Sequence, residues 1–237
     1  MKKPDLLDLD TLRDYYDEIY YRRAHADHEI PNHYLRLARH FEPWNGKTLL
    51  DVACGTGLWL RAAARSGAIA TGVDISQKAL DVCRQTLPQA ELHCGPAEEL
   101  PFADRQFDVV SCLGALEHFL DPPAALREIV RVAKPGAVFL FLVPNSGFLP
   151  LRLRLYSGTQ QADVREEIRS LPEWTRLFAN AGLRVRYRWK DLHVLSPSWI
   201  FRGDWYRWPL RAAQALVLPF WPLSWQYQVY HLCTIRD

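Results

Sequence analysis

The spacing of apolar residues changes several times along the chain, and each change marks a new element. Thr48-Leu49-Leu50-Asp51-Val52 is an almost unbroken apolar run, the pattern of a strand buried on both faces. Leu58 to Arg65 follows with helical spacing, then Ile69 to Val73 as a strand and Ser76 to Leu87 as a helix that Ser76 can cap. A short strand over Ala90 to His93 and a longer one over Phe107 to Cys112 come next. Asp121 to Val132 reads as a helix with Pro122 and Pro123 in its first turn, and Pro135-Gly136 turns the chain into a strand over Val138 to Val143. Strands alternating with helices of this length predict βαβ units around a parallel sheet.

The flanks carry different patterns. Residues 9–24 and 29–41 have helical spacing, with Tyr15, Tyr16, Ile19 and Tyr20 recurring in the first. Residues 145–170 form a polar, arginine-bearing segment, and Ser170 to Ala181 is a helix ending at Gly182. From Leu183 to Lys190 charged and apolar residues alternate strictly, which predicts one wet face, one buried face and an exposed sheet edge. Residues 193–225 are rich in aromatics and proline, and Gln226 to Ile235 is the last strand. The expectation is an α/β fold with a seven-stranded, mostly parallel sheet whose last two strands are antiparallel to each other. Residues 1–237 form a single domain: a helical cap (1–44), a ligand-binding core (45–145) and a second half (146–237) holding the insertion 193–225.

Composition narrows the function. With 237 residues, 49% hydrophobic and 24% charged, the chain matches an ordinary globular protein. A formal charge of +2 is too mild for a nucleic-acid binder. Cys54, Cys83, Cys94, Cys112 and Cys233 are scattered without zinc-ligand spacing, as expected of reduced thiols in a cytoplasmic protein. Asp5, Asp8 and Asp10 interrupt any leader-like run, and no apolar stretch approaches the ~20 residues of a membrane span.

The chemistry concentrates at the strand ends. Leu50-Asp51-Val52-Ala53-Cys54-Gly55-Thr56-Gly57 joins a strand to a helix, where glycines let the backbone turn and approach a ligand and free amides face it. A dinucleotide site would need glycine at position 60, which is Leu60, and Asp51 suits an ammonium better than a pyrophosphate. Asp74 ends the second strand, where a carboxylate can accept from both hydroxyls of a ribose. Gly95 to Phe102, with Glu98, can flank a base after the third strand, and Leu113-Gly114-Ala115-Leu116-Glu117-His118 lies at the end of the fourth.

Taken in order, LLDVACGTG, GVDIS, the AEELPF and FDVV stretches, LEHFLDP and VAKPGAVFLFLVPN resemble the landmarks of class I S-adenosylmethionine-dependent methyltransferases. The similarity is to the small-molecule branch that includes ubiquinone and menaquinone methyltransferases, and it covers roughly residues 45–145. The resemblance implies a Rossmann-like fold with S-adenosyl-L-methionine as cofactor. Asp51 and the loop Ala53, Cys54, Gly55 and Gly57 would hold the methionine moiety. Asp74 would bind the ribose, Ile75 would pack on the adenine, Ala97 and Glu98 would flank it, and Leu113 and Gly114 would lie near the sulfonium. Ala53 stands where the family usually has glycine, a small intrusion if its φ is negative.

No metal is indicated, and the reactivity would be the cofactor's own. His118 is the candidate general base, against the simpler reading of a histidine that satisfies local groups; Glu117 reads as a cap or a polar surface residue. Tyr16, Tyr20, Tyr21 and Arg22 on the leading helix would cover the cofactor. Residues 184–211 place Arg184, Arg186, Arg188, Lys190, Arg202, Arg207 and Arg211 against Asp191 and Asp204, amid a run of tryptophans that includes Trp199. That stretch is open to three readings: a lid over an apolar acceptor, a peripheral membrane contact through residues 199–225, or a packed insertion. The expected activity is methyl transfer to a small organic acceptor, lipid-like or glycan-linked, with no nucleic-acid partner. A nicotinamide-dependent reductase and a non-catalytic cofactor-binding protein are the alternatives.

Overall fold

Every residue of strand β1 (Thr48–Val52) after Thr48 is buried, so the strand must be covered on both faces, and the fold is built around it. The computed structural model describes residues 8–153, 166–193, 200, 201 and 203–236; Trp199, Arg202 and part of the polar 145–170 segment lie outside them. β1 pairs in parallel with β2 (Ile69–Asp74) on one side and β4 (Phe107–Leu113) on the other, and β3 (Glu91–Cys94) extends the sheet beyond β2. β5 (Ala133–Pro144) adds to β4 in parallel, and β7 (Gln228–Ile235) runs antiparallel between β5 and β6 (Leu183–Lys190). The seven-stranded order β3-β2-β1-β4-β5-β7-β6 is that of a Rossmann-like α/β sheet, as expected. It reverses direction between β1 and β4, where open α/β sheets place their ligands at the carboxyl ends of the strands.

Helices cover both faces. α2 (Asn32–Arg39), α3 (Leu58–Arg65) and α4 (Gln77–Thr86) bury Leu37, Trp59, Leu60 and Leu80 against one face, with Trp44 donating from Nε1 to the Ala38 carbonyl at 3.0 Å. α5 (Pro122–Val132), α6 (Leu149–Arg152) and α7 (Leu171–Asn180) follow β4 and β5 in the chain, and α5 and α7 bury Leu126, Ile129, Trp174 and Phe178 on the other face. Caps fix the boundaries: Ser76 Oγ accepts from Ala79, and Asp121 accepts from Ala124 at 2.9 Å with proline in the first turn.

Three expectations need correction. The first helical segment does not run to residue 24: α1 (Leu9–Tyr15) widens into a π-turn over Tyr16–Tyr20 and ends there. The alternation in β6 is not strict, because a bulge between Val185 and Tyr187 leaves Arg186 and Tyr187 both exposed. β5 begins five residues earlier than its apolar run, since Ala133 already pairs with Phe107 before the register shifts. The tryptophans of the C-terminal half divide: Trp174 is core, Trp189 stacks on Tyr230, and Trp205 and Trp208 near α8 (Trp208–Val217) are exposed. Among the described residues no helix is long and apolar enough to cross a membrane.

Candidate active site

The loop after β1 makes a tight turn at three consecutive alternate positions, Ala53, Gly55 and Gly57, all with left-handed φ (59°, 53° and 78°). Gly57 caps α3, and a side chain there would put its Cβ 2.2 Å from the Cys83 Sγ on α4. Ala53 thus has the positive φ on which its tolerance turned, and its methyl group is held in strained backbone. A left-handed alanine costs about 1 kcal/mol relative to glycine, so Ala53→Gly is expected to stabilise the protein by about that amount in urea unfolding. A loss of stability would show that the methyl group packs usefully.

Two buried carboxylates flank the loop. Asp51 accepts from Ser111 Oγ at 2.7 Å, and the Trp59 indole N–H donates to the same hydroxyl oxygen at 3.0 Å. Asp74 accepts from the amides of Gly55 (2.7 Å) and Ser76 (2.9 Å), which fixes the loop and the start of α4 together. Burial pushes Asp51 up to about 7 despite the Ser111 bond, and burial pushes Asp74 up to about 6 despite its two amide donors. Near neutral pH Asp51 is only about half ionised on its own, and a cation or strong hydroxyl donors would draw both groups towards the charged form.

Both acids open on a cavity of about 310 Å³. Asp51, Ala53, Cys54, Gly55, Asp74, Ile75, Ala97, Glu98, Leu113, Gly114 and His118 line it, whereas Gly57 does not and serves the turn. Among the described residues the lining holds three acids and no lysine or arginine, with Tyr16, Tyr20, Tyr21, Tyr34, Trp59 and Phe119 supplying aromatic walls. Such a chamber fits a ligand with cationic and hydroxyl-donating groups and repels a polyphosphate. Glu98 also accepts from the Asp121 amide at 3.2 Å, which ties it to the start of α5.

The N-terminal segment covers this cavity. Asp17 accepts from Ser76 Oγ at 2.5 Å, and Lys78 Nζ donates to the Asp17 carbonyl at 3.3 Å, anchoring the cover to α4. The Tyr21 hydroxyl oxygen lies 2.7 Å from where a Cβ on Gly55 would be, so a side chain there would push the tyrosine aside. Burial, reinforced by Asp74, holds the Tyr16 and Tyr21 hydroxyls well above their usual range, so they are neutral donors. Arg22 is exposed and does not line the cavity. Tyr34 and Trp59, which sequence patterns assign to helix faces, complete the wall.

Glu117 is not a surface residue. It is buried, one carboxylate oxygen has no hydrogen-bond partner, and burial and then Glu166 push it up to about 8. The chain folds back over it, with the Glu167 amide donating to the Glu117 carbonyl at 2.9 Å. Donor atoms of Glu117, His118 and Glu166 lie within 4.8 Å of one another, the described group whose spacing could share a cation.

These pKa shifts set a pH dependence. Asp74, Asp51 and Glu117 bind protons more tightly folded than unfolded, so their contribution is present below about 4 and is lost as pH rises through about 6, 7 and 8 respectively. The ligand-free protein is therefore expected to melt at a lower temperature at pH ~8 than at pH ~6.5. A melting temperature that rises over that interval would mean the carboxylates are ionised in the ligand-free fold.

Residues 50–141 match the family model described as a methyltransferase domain. A ubiquinone biosynthesis O-methyltransferase of Coxiella burnetii is 37% identical over 107 residues, 44% of this chain and 46% of the relative. One from Pseudomonas paraeruginosa is 38% identical over 165 residues, 60% of this chain and 66% of the relative. The chain thus spans about half the length of the first of these relatives. Among solved structures, magnesium protoporphyrin IX methyltransferase from Synechocystis with bound SAH superposes with a TM-score of 0.65 at 16% identity, covering 97% of this chain and 100% of that one. The Rossmann-like fold and the resemblance to class I methyltransferases are borne out.

Proposed function

We propose that this chain, whose residues 50–141 match a family model described as a methyltransferase domain, is a class I enzyme that transfers a methyl group from S-adenosylmethionine to a small organic acceptor. The observation that carries the reading is the cavity at the carboxyl ends of β1, β2 and β4, with buried carboxylates, aromatic walls and, among the described residues, no lysine or arginine. A nicotinamide cofactor would bring a pyrophosphate into a chamber whose described lining offers it no lysine or arginine.

When bound, the cofactor supplies an electrophilic methyl group. Asp51 would hold its ammonium and Asp74 its ribose hydroxyls through the lone pairs not used by Gly55 and Ser76. The loop Ala53, Cys54 and Gly55 would carry the methionine moiety, with Gly57 setting the turn; Ile75, Ala97 and Glu98 would surround the adenine, and Leu113 and Gly114 would flank the methyl group. The tyrosines of the N-terminal cover would exclude water and offer aromatic surface to the positive charge.

His118 takes the proton from the acceptor. It lines the cavity just beyond β4, and Glu117 beside it is largely protonated near neutral pH. General-base removal costs about 100-fold or more in turnover, so His118→Ala is expected to lower kcat by at least that factor with cofactor affinity unchanged. Unchanged kcat would reduce His118 to shaping the pocket. The named relatives are O-methyltransferases of ubiquinone biosynthesis, which supports a lipid-like aromatic acceptor with an ionisable hydroxyl. The protein would meet such an acceptor on the cytoplasmic side, at the membrane periphery. Radiolabelled methyl transfer to a panel of alkylated phenols and catechols tests the activity; cofactor binding without transfer to any small acceptor would favour a non-catalytic role.

A further inference from the structure

Strand β6 is the outer edge of the sheet, and a groove of about 620 Å³ runs along it between α7 and the chain near Leu223. Arg184, Arg186, Arg188 and Arg236 line this groove together with Tyr187, and no acidic residue among the described ones does. The bulge in β6 turns Arg186 and Tyr187 outward together, and Tyr187 is 69% exposed. Arg188 donates to Thr175 Oγ1, yet its Nε is buried without a partner, the state of a site short of one acceptor.

The edge continues into an apolar surface. At the end of β6, Lys190 Nζ donates to the carbonyls of Leu218 (3.2 Å) and Pro219 (2.7 Å), which pins the turn after α8 to the strand. Around that turn Leu218 is buried, but Phe220 is 88% exposed, Leu216 75% and Val217 50%. β6 and β5 are both antiparallel to β7, so Lys190 lies at the same end of the sheet as Asp51 and Asp74. A surface that covered this corner would face the side on which the cavity opens.

We propose that this edge docks on an anionic membrane, with phosphate head groups in the arginine groove and Phe220, Leu216 and Val217 in the headgroup–acyl boundary. Large apolar side chains beside basic ones are the pattern of an interfacial element drawn to negative lipid. A second copy is the weaker occupant, since a twofold contact centred here would set arginines against arginines. The inference extends the proposed function by naming the surface from which a lipid-like acceptor arrives, but it does not require methyl transfer.

The test is flotation of the full chain with phosphatidylcholine vesicles that contain or lack phosphatidylglycerol. The protein is expected to float only with phosphatidylglycerol present, and less at high salt. Arg184→Glu with Arg186→Glu should weaken partitioning about tenfold or more, and Phe220→Ser should weaken it while leaving cofactor titration unchanged, which shows each variant folded. Failure to float with anionic vesicles overturns the proposal. So does flotation indifferent to both variants, or a stable dimer that Phe220→Ser dissociates with no vesicle binding. Loss of methyl transfer in solution would refute the activity and leave flotation as it was.

Discussion

Asp74→Ala is expected to weaken binding of S-adenosylhomocysteine at least about 100-fold, the largest effect on binding of any single change in the cavity. Asp74 is buried and serves two purposes at once. It accepts from Gly55 at 2.7 Å and Ser76 at 2.9 Å, and it would accept from the ribose hydroxyls as well. A hydrogen bond to a charged group is worth about 1.5–3 kcal/mol, so losing two costs about 3–6 kcal/mol, or two to four powers of ten. The two loop amides are also left without their acceptor, which loosens the cradle. Asp74→Asn keeps one oxygen for the loop and should lose less than the alanine variant. A loss under tenfold for Asp74→Ala, in a protein that melts normally, would remove Asp74 from the binding site.

Gly57→Ala should be the most destabilising change in the loop, although Gly57 does not line the cavity. Its φ of 78° is left-handed, and its Cβ would stand 2.2 Å from Cys83 Sγ and 3.3 Å from Cys83 Cβ. The backbone conformation costs about 1–2 kcal/mol, and overpacking against a buried neighbour adds about 1–3 kcal/mol. For a chain of this length the sum lowers Tm by about 5–20 °C. Cys83→Ala should relieve the second part alone, so the double variant would be more stable than the two single losses predict. Strict additivity would mean that the two sites do not touch.

Much of the sheet was legible because its signals are local. Leu58–Arg65 is the helix its apolar spacing predicts, the Ser76 cap stands where the sequence places it, and the prolines open α5 as expected. The glycine loop, Asp51 and Asp74 were legible for the same reason: turn chemistry and strand ends are written within a few residues. What depends on distant pairing was not. The bulge in β6 is set by its register with β7, and an alternating sequence looks the same with or without it. The first helix stops at Tyr20 with no glycine or proline to announce it. Glu117 reads as a surface acid because the segment that buries it, around Glu166 and Glu167, lies some fifty residues further on. Trp59 and Tyr34 carry the same spacing as core residues, and only the folded cavity separates a wall from a core. The left-handed φ of Ala53 was invisible for the opposite reason: its neighbours specify the turn, and the alanine endures it.

The central claim is that the carboxylate-lined cavity takes S-adenosylmethionine and not a nicotinamide dinucleotide. Calorimetric titration of the purified chain with S-adenosylmethionine, S-adenosylhomocysteine and NADH tests it most directly. Saturable one-site binding of the first two, weakening as pH falls below about 7 where Asp51 takes up its proton, with no heat from NADH, is the predicted result. Saturable binding of NADH with none for the other two would contradict the account and point to hydride transfer instead.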